Sequence, residues 1–165
     1  MKELLAFPIL VLVAIVQMAV VGRITLLAGS ADLMLLVLVA WALQPQVATA
    51  WHWAIAGGAL VGFASRLPWA IPLGSYLLVV AAARLLQRRV WEGPLLAMFT
   101  VTFLGTLLFH LSSLIALRLT GTPLSVGDAL GLVILPSVLL NLLLSIPVFF
   151  FIRDFARWVY PVEEE

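Results

Sequence analysis

Apolar residues in this chain run in long blocks, without strict alternation and without a single helical stripe. The blocks lie near 4–24, 31–44, 50–65, 70–86, 94–118 and 128–152. Between them stand AGS (28–30), QPQ (44–46), SRLPWAIP (65–72), QRRVWEGP (87–94) and TGTPLSVGD (120–128). Clusters of glycine, proline and polar residues of this kind mark turns. A helix that is apolar all round is buried in protein or in lipid. Roughly 20 such residues cross a hydrocarbon layer of about 30 Å. The pattern therefore predicts an all-α, polytopic membrane helical bundle with about six transmembrane helices. The second and third blocks are short: the fourteen residues of the second, at ~1.5 Å each, cover only about 21 Å. Five crossings with a re-entrant segment is the alternative.

Composition strengthens the membrane reading. Of the 165 residues, 64% are hydrophobic and 10% charged, and the mean hydropathy is +1.20. Soluble domains carry about 25% charged residues, so a chain this apolar needs lipid as its solvent. The formal net charge is +1, and no basic run is long enough for a phosphate-binding nucleic-acid face. The absence of cysteine removes disulfides, thiol nucleophiles and cysteine metal sites. Residues 4–22, followed by LLAGSA, have the outline of a signal peptide. The apolar run exceeds the ~7–15 residues of a signal core, however, and Lys2 is offset by Glu3. The segment is expected to be a retained first helix. The whole of 1–165 is expected to form one integral membrane domain, with Glu163, Glu164 and Glu165 as a solvated tip.

Charge sets the direction. With both termini in the cytoplasm, Lys2, Arg84, Arg88, Arg89, Arg153 and Arg157 lie inside and Arg23, Arg66 and Arg118 outside. Cytoplasmic loops are enriched in Lys and Arg, so six against three favours this orientation. Trp69, Trp91 and Trp158 fall at predicted helix ends, where amphipathic rings anchor among headgroups.

The inventory for chemistry is thin. His52 and His110 are the only histidines, and they lie in different blocks. A zinc site needs three or four ligands. Ser112 and Ser113 follow His110 without a nucleophile-elbow motif, and serines in membrane helices usually pack or bond to a carbonyl. Asp32, Arg66, Arg84, Arg118 and Asp128 sit at predicted block ends, which leaves no carboxylate pair or proton relay at mid-depth. No catalytic residue, metal ligand or cofactor is expected. Gly57, Gly58 and Gly62 form a small-residue face that suits close helix packing, within the bundle or against a partner. In LPSVLLNLLLSIPVFFFIRDFARWV (135–159), Pro147 removes a backbone donor from a helix interior. Asn141 offers amide hydrogen bonds to neighbours. Arg153 and Arg157 then bring the segment to the cytoplasmic surface. This last helix is expected to be bent and held by other helices.

Several of these features resemble the rod shape-determining MreD family. They are DLMLLVLVAWAL (32–43), GGALVGF (57–63) with PLGSYLL (72–78), ARLLQRR (83–89) and LLNLLLSIPVFFFIR (139–153). Their order over about 120 residues carries the resemblance, and Arg66 departs from it at a position where the family usually has aspartate. The resemblance implies a fold similar to the substrate-binding subunits of energy-coupling-factor transporters. It also implies a non-catalytic scaffold of the bacterial cell-elongation complex in the inner membrane. Such a scaffold binds MreC, supports the RodA glycosyltransferase with its class B penicillin-binding partner, and links to MreB. Membrane lipid is the remaining expected partner. The alternative function is the substrate-binding subunit of an energy-coupling-factor vitamin transporter.

Overall fold

The computed structural model describes residues 6–88 and 93–161. The expectations for Lys2, Arg89, Trp91 and the acidic tip lie outside them. Among the described residues six helices carry the fold: α1 Ala6–Ala19, α2 Leu33–Ala42, α3 Ala50–Ala64, α4 Ala70–Gln87, α5 Pro94–Leu119 and α6 Val126–Val159. A hairpin of β1 Thr25–Leu26 and β2 Gly29–Ser30 joins α1 to α2.

Among the described residues, only α4, α5 and α6 are long and apolar enough to cross a membrane. The expectation of six spans is corrected to three on this measure. Within the described residues α1, α2 and α3 have 14, 10 and 15 residues, or about 21, 15 and 22 Å of rise. At its C-terminal side the first block ends early, because α1 stops at Ala19 and the chain turns through a short 3-10 segment, Val21–Arg23, into the hairpin. The second loses length because Asp32 caps α2 and the helix ends before Gln44. The last block is longer than predicted, with RDFARWV continuing the helix to Val159.

Helix α2 is apolar all round because it is the axis of the bundle. Every residue from Met34 to Ala42 is buried, packed by α1, α3, α4, α5 and α6. At its C-terminal end Trp41 stacks on Trp53 of α3 at 4.3 Å between ring centroids, with Phe155 and Tyr160 alongside. Such pairs add about 0.5–1.5 kcal/mol beyond area burial.

The glycine face lies inside this packing. A Cβ on Gly58 would stand 2.8 Å from the Leu73 Cα, and one on Gly62 would stand 3.2 Å from the Trp69 Cα. One on Gly57 would meet the Met34 sulfur at 3.1 Å. Gly58 and Gly62 let α3 approach the start of α4 at backbone distance, Gly57 makes room for side chains of α2, and all three are covered by this chain itself.

Pro136 follows a stretch of π-helix, Ala129–Ile134, inside α6. Proline cannot donate to the carbonyl four residues back, which here is that of Leu132. The Ala28 N–H of the hairpin donates to the Leu132 carbonyl at 3.0 Å. In lipid a freed carbonyl needs a protein donor, and the hairpin supplies it. Gly29 makes the approach feasible: a Cβ there would be 2.6 Å from the Val133 carbonyl oxygen.

Candidate functional site

The polar side chains of the bundle converge on the start of α2. One carboxylate oxygen of Asp32 accepts from the Leu35 N–H at 3.0 Å and caps the helix. The other accepts from the Tyr76 hydroxyl of α4 at 2.7 Å. The Asp32 N–H donates to Asn141 Oδ1 of α6 at 2.7 Å. Asn141 Nδ2 donates to Thr106 Oγ1 of α5 at 2.9 Å, and that hydroxyl donates to the Thr102 carbonyl at 2.7 Å. Gln17 of α1 closes the group from the other side. Its Oε1 accepts from the Leu33 N–H at 2.6 Å and its Nε2 donates to the Ala31 carbonyl at 2.8 Å. Ser137 accepts from the Ser30 N–H at 3.1 Å. Asn141, Thr106, Tyr76 and Ser137 are all buried.

Short α2 makes this cluster necessary. The first N–H groups of any helix have no partner within it. A full-length membrane helix exposes them to water or headgroups. Thr106 lies near the middle of 26-residue α5, and Asn141 near the middle of 34-residue α6, so α2 begins at half the height of these two long helices, which is mid-depth if they cross a membrane. There each unsatisfied backbone group costs several kcal/mol. Side chains from α1 and α6, together with the Asp32 carboxylate, take the N–H groups of Asp32, Leu33 and Leu35.

This corrects one expectation. Asp32 does stand at the end of its own helix, yet it occupies the centre of the bundle rather than its rim. Sequence reasoning also passed over Gln17, Tyr76 and Thr106. The available signal was the one that drew attention to Asn141: a lone amide or hydroxyl inside an apolar block.

The other candidate residues fall elsewhere. Pro147 is interior to α6 and lines an apolar groove of about 570 Å3 against α1. Arg153 pairs with Asp154 at 3.2 Å and lies 4.7 Å above the Phe150 ring. Arg66 is exposed on the α3–α4 loop, and His52 is exposed on α3. His110 stands edge-on to Phe109 at 5.6 Å. Ser112 and Ser113 donate to the carbonyls of Leu108 and Phe109, the back-bonding common in membrane helices. Among the described residues, no three His, Cys, Asp or Glu side chains gather as metal ligands.

No family model, curated protein or solved structure matches the chain.

Proposed function

We propose that this protein is a membrane scaffold subunit of the bacterial cell-elongation complex, of the MreD kind. In this role it holds the helix of an MreC-like partner beside the wall-synthesis enzymes and performs no chemistry itself. One observation supports the reading. Three of the separate motifs behind the family resemblance meet at one place. Asp32 opens DLMLLVLVAWAL, Tyr76 closes the PLGSY step, Asn141 belongs to LLNLLLSIP, and all three are joined through Asp32. The glycine motif seats Gly58 on Leu73 of the same PLGSY step. Polar groups spent on one another in this way brace a bundle, which is what a scaffold requires.

The second reading, a solute-binding transport subunit, is favoured by a hollow of about 370 Å3 at the hairpin end of the molecule. It is lined by His110, Ser113, Ser125 and Asp128 among apolar residues. Small-molecule sites of about 300–1,000 Å3 combine apolar walls with a few polar groups in this way.

Affinity purification of the tagged, solubilised chain from its native membrane separates the two. Co-purification of a single-pass MreC-like protein and wall-synthesis enzymes supports the scaffold. Co-purification of an ATPase-bearing transport module in their place refutes it.

A further inference from the structure

Four arginines frame the end of the bundle opposite the hairpin. Arg84 and Arg88 are at the end of α4, and Arg153 and Arg157 are in the last turns of α6. A cleft of about 650 Å3 opens there, lined by Gln44, Gln87, Pro94, Phe149, Arg153 and Arg157. A second hollow of about 490 Å3, with Arg84 and Arg88 in its wall, adjoins it across Gln46 and Gln87. We propose that the larger cleft binds the phosphodiester headgroup of an anionic phospholipid.

Arg153 and Arg157 are four residues apart, so they share one face of α6, about 6 Å apart along its axis. Guanidinium groups bind phosphate oxygens through paired N–H donors. The Arg153–Asp154 contact uses Nε, one of the five donors of that group, and the Phe150 ring steadies its plane. Gln44 is 4% exposed, and its Nε2 is anchored to the Ala40 carbonyl. It forms a polar floor of fixed geometry. Leu43, Ala97 and Phe149 supply an apolar wall beside it. The cleft thus offers cationic donors at its mouth and apolar surface within.

Location selects the lipid. The cleft lies at the ends of α4, α5 and α6, the three helices long enough to cross a membrane, so its mouth opens at headgroup level. Leu85 and Trp158, at the same end, are 63% and 75% exposed, as suits residues in the acyl and interfacial layers. Basic pockets between membrane helices recognise anionic headgroups, with each cation near the surface worth ~1 kcal/mol. The proposal needs only a membrane location and is independent of the scaffold reading.

The test is native mass spectrometry of the full chain in detergent, titrated with phosphatidylglycerol or phosphatidylcholine. The parent should retain one phosphatidylglycerol in preference to phosphatidylcholine. Arg153→Gln/Arg157→Gln should weaken that retention about tenfold or more. Arg157→Gln alone, at an exposed position, should weaken it less while melting like the parent. Arg118→Gln, at the opposite end, should leave it unchanged. Equal retention by parent and double variant, or equal binding of the two lipids, overturns the proposal. Displacement of the lipid by millimolar inorganic phosphate at equal efficiency assigns the site to free phosphate, which also overturns it.

Discussion

Replacing Asn141 by leucine tests the polar cluster directly. The side chain is fully buried and makes two hydrogen bonds, one from the Asp32 N–H and one to Thr106 Oγ1. Hydrogen bonds between membrane helices average about 0.6 kcal/mol and reach about 1.7. Two of them give about 1.2 kcal/mol, with a ceiling of about 3.4. Leucine also brings a different shape into a filled site, which adds a packing cost of about 1–3 kcal/mol. A single variant cannot separate these contributions, but a double-mutant cycle with Thr106→Val can.

Thr106→Val removes the acceptor for Asn141 and the donor to the Thr102 carbonyl. The Thr102 bond is lost in both legs of the cycle and cancels, as does the packing cost of leucine if the two sites do not repack together. The remaining coupling should be about 0.6–1.7 kcal/mol, read by reversible unfolding in mixed micelles. A coupling indistinguishable from zero would refute the claim that Asn141 and Thr106 stabilise each other. It would reduce the amide to a tolerated polar residue.

Three further outcomes follow from the packing and the charge distribution. Gly74→Ala should raise stability by up to about 1 kcal/mol, the gain expected for alanine over glycine in a helix, because nothing lies within 4 Å of its new Cβ. Gly58→Ala gains the same propensity but meets the Leu73 backbone at 2.8 Å. It should lower the detergent melting temperature, and equal behaviour of the two variants would remove Gly58 from the α3–α4 seam. Gly29→Ala should destabilise by about 1–3 kcal/mol through overpacking, whereas Gly131→Ala, with open space around it, should not. Cysteine at Arg88 should resist an impermeant thiol reagent in intact cells and cysteine at Thr122 should react, as the arginine and lysine asymmetry requires. The reverse labelling would invert the topology.

Helix positions could be read from the sequence because lipid and a protein interior impose the same demand, an unbroken apolar block. That equivalence also hid the fold's main feature. DLMLLVLVAWAL looks like a transmembrane span, yet its apolarity comes from being enclosed on every side by protein, and its ten helical residues cross only half a bilayer. Depth was therefore misread for Asp32, since a helix end signifies the membrane surface only when the helix crosses completely. The hairpin was not visible either. TLLAGS has no strand alternation, and its two-residue strands are held by Gly29 packing on the π-helical turn before Pro136. Pro136 and Gly29 are 107 residues apart, and only the folded chain shows that one creates the vacancy the other lets the hairpin fill. Asn141 and the glycine face were found because each breaks a local pattern. Gln17, Tyr76 and Thr106 break it too, but their partners lie at long range.

The half-length of α2 explains why so many helices must cooperate. A helix that starts in mid-membrane cannot be capped by solvent, so its N–H groups need acceptors from the protein. Asp32 covers one, and its other oxygen then holds Tyr76 of α4. Asn141 covers a second and draws in Thr106 of α5, while Gln17 covers a third from α1. Each cap thus tethers a different surrounding helix to the same buried point. Moving any one of them outward would leave a donor or acceptor unpaired in a dry site, at about 1–3 kcal/mol per group. The bundle resists rearrangement around its centre, while its outer faces, with the groove beside Pro147 and the arginine cleft, lie outside this network. The scaffold role proposed above would call for that division between a braced core and an available rim.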